Sequence, residues 1–187
     1  MNVDFSTASD TIPPSGWTQN QVQGISSDLW HFNNPGNQTI SYPFTGNFAI
    51  FDSQNYSSSG GNEMVSLQSP AFDASIGNNV FLFFDQIFTG FGSDTARVEV
   101  YDGNSWNTIA EYLNPTSGVV SEMLDISAYA GGVTNAGLRF TWIGNGMNFW
   151  AIDNISIYSP LSLDLGLIHF HSPTMPFLSG PNDIRVS

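Results

Sequence analysis

The residue that most needs a chemical explanation is Asp153. It stands alone among apolar and neutral side chains in FWAIDNISIY (149–158), a run that reads as a β-strand. An ionised carboxylate in a buried strand costs several kcal/mol unless something pairs with it. Cations are scarce, because sixteen acidic residues face three basic ones, Arg97, Arg139 and Arg185, with no lysine and a net charge of −13. Pairing with Arg139 or capping a turn is the common fate of one aspartate. A bound cation is the alternative that the shortage of basic side chains favours.

His31, in DLWHF beside Trp30 and near Asp28, is the histidine most like a catalytic one. A general base needs a nucleophile or substrate within hydrogen-bond reach, and neither a Gly-x-Ser-x-Gly element nor an HExxH helix supplies one. A lone histidine among aromatics is more often packed. His169 and His171 alternate in HFH, a spacing that can bind a transition metal on one strand face but is commoner on a solvated edge. Carboxylate pairs for glycoside hydrolysis always exist among sixteen acids, and nothing here fixes a separation.

Aromatic residues make up 14% of the chain, with five Trp. Most belong to a core, since Phe81, Phe83, Trp142 and Phe149, with Ile152, lie on strands whose alternate positions face inward. Trp30, Tyr42, Tyr56 and Phe91 lie instead in polar segments. Exposed rings beside Asn, Gln and Asp suit a sugar-binding surface, and rings that plug the ends of a sandwich suit the same sequence.

The elements that must position these residues are strands. NVFLFFDQIF (79–88), ARVEVYD (96–102), AGLRFTWIG (136–144) and FWAIDNISIY are rich in β-branched and aromatic residues, and turn-forming clusters separate them. Asp102-Gly103-Asn104 has the position and chemistry of a hairpin turn. In SEMLDISAYAGG (121–132), LDIS reads as a strand end and AYAGG as a short turn, so helix is nearly absent. QNQVQGISSDL, NNPGNQTISYP and DSQNYSSSGGNE read as loops gathered on one rim, where binding residues usually sit.

Composition narrows the functional classes. Such an acidic chain repels nucleic acid and anionic membranes. A charged fraction of 10% with abundant Asn, Ser, Thr and Gly is that of secreted or cell-surface β proteins. No apolar run approaches membrane-spanning length, and MNVDFSTASD lacks the regions of a signal peptide, so an export signal would lie outside these residues. With no cysteine, disulfides and zinc-thiolate sites are excluded. The texture changes near Ser159-Pro160, which places a module at 1–159 and, at 160–187, a linker and the start of a second β module.

From Phe5 to Tyr158 the chain resembles the MAM and cleaved-adhesin superfamily, including the choice-of-anchor J modules of bacterial surface proteins. The likeness rests on DFSTASDTIPPSGWT, EMVSLQSPAFDAS, VEVYDGNSWNTI and the closing LDISAYAG, LRFTWIG and FWAIDNISIY. It implies a jelly-roll β-sandwich with a structural calcium ion near the end of the last strand. Carried onto matching positions, the implied ligands are Asp28, Asn62, Glu63 and Asp153. Two departures stand out: Ser6 follows Phe5 where the family has glutamate, and Asn154 stands where a second acid is expected. The absence of cysteine favours the bacterial branch. The tail LDLGLIHFHSPTMPF similarly resembles the first strands of immunoglobulin-like adhesion modules. The expectation is a monomeric, non-catalytic, calcium-stabilised adhesion module that takes a glycan or a surface protein. An accessory domain of a secreted protease or polysaccharide-degrading enzyme is the alternative.

Overall fold

The structure is a computed structural model, and it describes residues 1–56, 61–75, 77–145, 148–160, 170–171 and 185–186. Ten strands make up the main body among the described residues: β1 (Asn2–Val3), β2 (Thr18–Gln23), β3 (Ala49–Asp52), β4 (Glu63–Gln68), β5 (Phe81–Phe88), β6 (Thr95–Tyr101), β7 (Trp106–Tyr112), β8 (Val120–Asp125), β9 (Gly137–Gly144) and β10 (Phe149–Tyr158). Two short helical turns, α1 (Ser53–Tyr56) and α2 (Ser127–Ala130), interrupt them. The strands form two five-stranded antiparallel sheets. One has the order β1-β10-β5-β8, with β3 also pairing β10, and the other the order β2-β4-β9-β6-β7. The all-β sandwich expected from the sequence is therefore the fold.

Inward-facing residues of the two sheets meet in one core. Trp150, Ile152, Leu82, Phe84 and Phe88 from the first sheet face Val65, Leu67, Val98, Leu138, Phe140 and Trp142 from the second. Ring contacts lock the layers, Phe140 to Trp150 at 5.9 Å and Phe88 to Trp142 at 5.9 Å. The inward phase of β5 is Leu82 and Phe84, whereas Phe81 and Phe83 are half-buried on its other face. FLFF is apolar in both phases, so its pattern could not choose between them, and a one-residue shift exchanges faces. A second cluster of Phe44, Phe48, Ile50, Phe149 and Ala151 forms where the segment 33–48 folds over the outer face of β3 and β10.

The hairpin between β6 and β7 forms where Asp102-Gly103-Asn104 places it. Gly103 has φ +93°, and the Asp102 carboxylate accepts the backbone N–H of Asn104 and of Ser105, each at 2.8 Å. QNQVQ, read as loop, is instead most of β2, which pairs β4 from Thr18↔Gln68 to Gln23↔Met64. Its side chains are half-buried or exposed, so an edge strand held by its backbone ladder and by the Gln19 amide on Thr11 and Trp30 leaves no apolar alternation in the sequence. In the tail, β11 (Phe170–His171) pairs β12 (Arg185–Val186). His169 and nearly all of the expected second module lie outside the described residues.

Candidate functional site

Asp153 lies in the first sheet directly opposite Asp85 of β5, just before a register shift at which Asn154 takes φ +52°. Its side chain is fully buried, and no side chain donates to either carboxylate oxygen. Burial pushes its pKa up to about 7; the backbone amides of Asn154 and Thr45 oppose the shift, and the charges of Asp4 and Asp85 add to it. Neither of the arginines whose side chains are described answers this charge. Arg139 grips Glu99 through Nε at 2.7 Å and Nη2 at 2.5 Å, and Arg97 pairs with Glu111 at 2.7 Å. Asp85, by contrast, is satisfied by the Ser121 hydroxyl at 2.5 Å and the Asn154 amide at 2.8 Å. An open hollow of about 310 Å³ is lined by Asp4 and by Asn154, the residue after Asp153, among others.

The other three residues expected to hold a metal come together elsewhere, at one end of the second sheet. Asp28, Asn62 and Glu63 line a single cavity of about 240 Å³, and Asn62 and Glu63 also line a second of about 230 Å³ with Ser93, Gly144 and Asn145. Glu63 Oε2 accepts from Ser53 Oγ at 2.5 Å and from Trp142 Nε1 at 2.9 Å. Asp28 Oδ2 accepts from the Ile25 amide at 2.7 Å, while its Oδ1 is buried without a partner. Asp94, which sequence reasoning missed, repeats the arrangement: Oδ2 accepts from Asn148 Nδ2 at 2.6 Å and Oδ1 is buried and unpartnered. Burial raises the pKa of Glu63 above its ordinary value, and the charges of Asp28 and Asp94 add to the rise.

The four expected ligands thus divide into a group of three and Asp153 alone. Asp153 projects from the outer face of the first sheet, and Glu63 projects inward from the start of a strand in the second. Among the described residues no three carboxylate or imidazole side chains form a ready-made cage. A hard cation at either place would complete its shell with amide and carbonyl oxygens, the chemistry that calcium accepts. The buried oxygens of Asp153, Asp28 and Asp94 fit such an ion, because no side chain donates to Asp153 and nothing donates to Asp28 Oδ1 or Asp94 Oδ1.

The residues expected to bind a ligand also separate. Trp30 is fully buried, donating its indole N–H to the Val65 carbonyl at 3.3 Å and packing edge-on to Trp150 at 5.4 Å, so it belongs to the core. The polar residues around it mark the ends of segments, and the ring itself turns inward because His31 bridges Ile50 of β3. Tyr42 and Phe91 are exposed, at 85% and 62%. Tyr56 closes α1, and its side chain lies outside the described part. His31 has Nδ1 3.2 Å from the Asp10 carboxylate on a half-buried strand bridge.

No family model matches the chain, and no curated protein matches it in sequence. Solved structures share its fold. The K1 cleaved adhesin domain of Lys-gingipain from Porphyromonas gingivalis aligns at TM-score 0.64 and 16% identity, covering 86% of this chain and 98% of that one. The K3 cleaved adhesin domain of the same protein aligns at 0.63 and 16% identity, covering 86% and 97%. TmCBM61, solved in complex with β-1,4-galactotriose, aligns at 0.55 and 12% identity, covering 84% and 94%. At these identities the likeness establishes that the chain has the β-sandwich fold of adhesin and carbohydrate-binding modules.

Proposed function

We propose that this chain is a non-catalytic binding module of a secreted or cell-surface protein, stabilised by calcium and taking a glycan or a protein as its ligand. Asp153 carries the calcium part of this reading. A fully buried carboxylate that no side chain donates to, with no cation beside it among the described side chains, favours either protonation or a bound ion. Asp153 with its neighbour Asp4 would hold one ion, and Asp28, Asn62, Glu63 and Asp94 would hold another. Bound there, calcium supplies charge neutralisation and ties loops to strand ends. The residues themselves set the positions: Ser53 and Trp142 orient Glu63, and Asn148 orients Asp94.

The binding part rests on the shared architecture of adhesin and carbohydrate-binding modules, together with exposed Tyr42 and Phe91 on the loops. A role as an accessory domain within a larger secreted enzyme is the second reading, in keeping with neighbours that are themselves domains of a longer protein. Melting curves with and without a chelator test the calcium. An ion present at about a hundred times its Kd adds about 2.7 kcal/mol, which at this size raises the melting temperature by about 5–10 °C. No shift at matched ionic strength would end the calcium reading. Retention on a glycan array, or capture of a surface protein, tests the binding.

A further inference from the structure

Four of the five tryptophans, Trp17, Trp30, Trp142 and Trp150, are buried in the core, and Trp106 is the exception. It is half-buried on the outer face of the second sheet, at the start of β7. Its indole meets the Tyr101 ring at 5.3 Å with the planes at 45°, and the Arg139 guanidinium lies 4.3 Å from its centroid. Gly137 pairs with Tyr101 across the sheet, and a Cβ there would stand 3.4 Å from the tip of the indole and 3.6 Å from Tyr101 Cβ. The missing side chain leaves a recess of about 170 Å³ whose walls are Trp106, Tyr101 and Gln68, with Asn135 at the rim.

We infer that this recess is a binding site for a neutral pyranose unit of a glycan, an inference that rests on the glycan form of the proposed function. The Trp106 and Tyr101 rings offer apolar faces for the C–H face of a sugar, and the Gln68 and Asn135 amides offer donors and acceptors for its hydroxyls. Arg139, which forms part of the platform, is neutralised by Glu99, which in turn accepts from Thr141 at 2.9 Å. The local charge therefore balances, and the −13 charge of the whole chain disfavours uronic or sialic acids. The recess is also remote from the acid group at Glu63. Gln68 lies at the opposite end of β4, about 17 Å away at the ordinary rise of a strand.

Calorimetric titration with galacto-, manno-, cello- and xylo-oligosaccharides tests the site in four variants beside the unaltered protein. Trp106→Ala removes the platform, and Gly137→Val fills the recess while keeping both rings. Binding of at least one neutral oligosaccharide is expected, weakened about tenfold or more by each of these changes. Met123→Ala and Tyr158→Ala, exposed positions on the other sheet, are expected to leave it unchanged. Melting curves identify any variant that fails to fold, and Gly137→Val, which adds a side chain suited to strands, stands in for Trp106→Ala in that event. Binding that survives both recess variants would overturn the inference while leaving the binding module intact. Failure of the unaltered protein to bind any of these sugars would overturn it as well, and capture of a protein in the same preparation would keep the module reading.

Discussion

Asp153 is the residue on which charge, burial and the proposed metal meet. Its folded pKa of about 7 lies above the 3.8 of an ordinary aspartate, so the metal-free folded state binds more protons than the unfolded state between those values. Asp153 therefore makes metal-free protein lose stability as pH rises from about 4 to about 7, by an amount of the order of 4 kcal/mol. Added calcium is expected to abolish that slope. Asp153→Asn is expected to raise the melting temperature in chelator at pH 8, where it removes an uncompensated charge, and to lower it relative to the unaltered protein when calcium is saturating. Melting curves of both proteins at pH 5 and pH 8, with and without calcium, measure all four quantities. A slope that persists in Asp153→Asn would assign it to another group.

Among the elements, the β6–β7 hairpin and the β4–β9 pair show how local sequence places side chains. At Gly103 the positive φ is required by the turn, and a Cβ would also stand 3.0 Å from the Asn135 side chain. Gly103→Ala is expected to cost about 1–2 kcal/mol and to lower the melting temperature by about 2–8 °C in a thermal scan. The Asp102 carboxyl in the same turn is held down to about 2, chiefly by the amides of Ser105 and Asn104, so its contribution is present above pH 4 and fades as the pH falls toward 2. On β9, Trp142 joins the core to the acid group through its bond to Glu63. Trp142→Phe keeps an aromatic ring in the core but leaves the buried Glu63 Oε2 with the Ser53 hydroxyl as its one donor. It is expected to cost about 1–3 kcal/mol and to shrink the chelator-sensitive part of the melting shift. An unchanged calcium shift in that variant would separate Glu63 from the ion.

For the whole molecule, a net charge of −13 with no lysine makes self-repulsion a general destabilising force. Sodium chloride is therefore expected to raise the melting temperature modestly through screening. Calcium is expected to raise it by several degrees more at the same ionic strength, and magnesium to do less because it dehydrates reluctantly and demands a tighter shell. Equal effects of all three salts would reduce the calcium effect to screening.

Much of the sandwich was legible in the sequence because its causes are local. Period-2 alternation marks β6, β9 and β10, the Asp102-Gly103 turn marks their hairpin partner, and a shortage of cations already set Asp153 apart from an ordinary ion pair. What the tertiary structure decided depends on contacts between distant segments. The four expected metal ligands divide into two places because Asp153 and Glu63 belong to different sheets and point to different faces, which no spacing along the chain records. Trp30 and Trp106 exchange the roles that their neighbours suggest: polar residues surround a buried ring, and a strand carries a half-exposed one. Whether a ring is covered depends on what crosses over it, and only the register of the assembled sheets determines that.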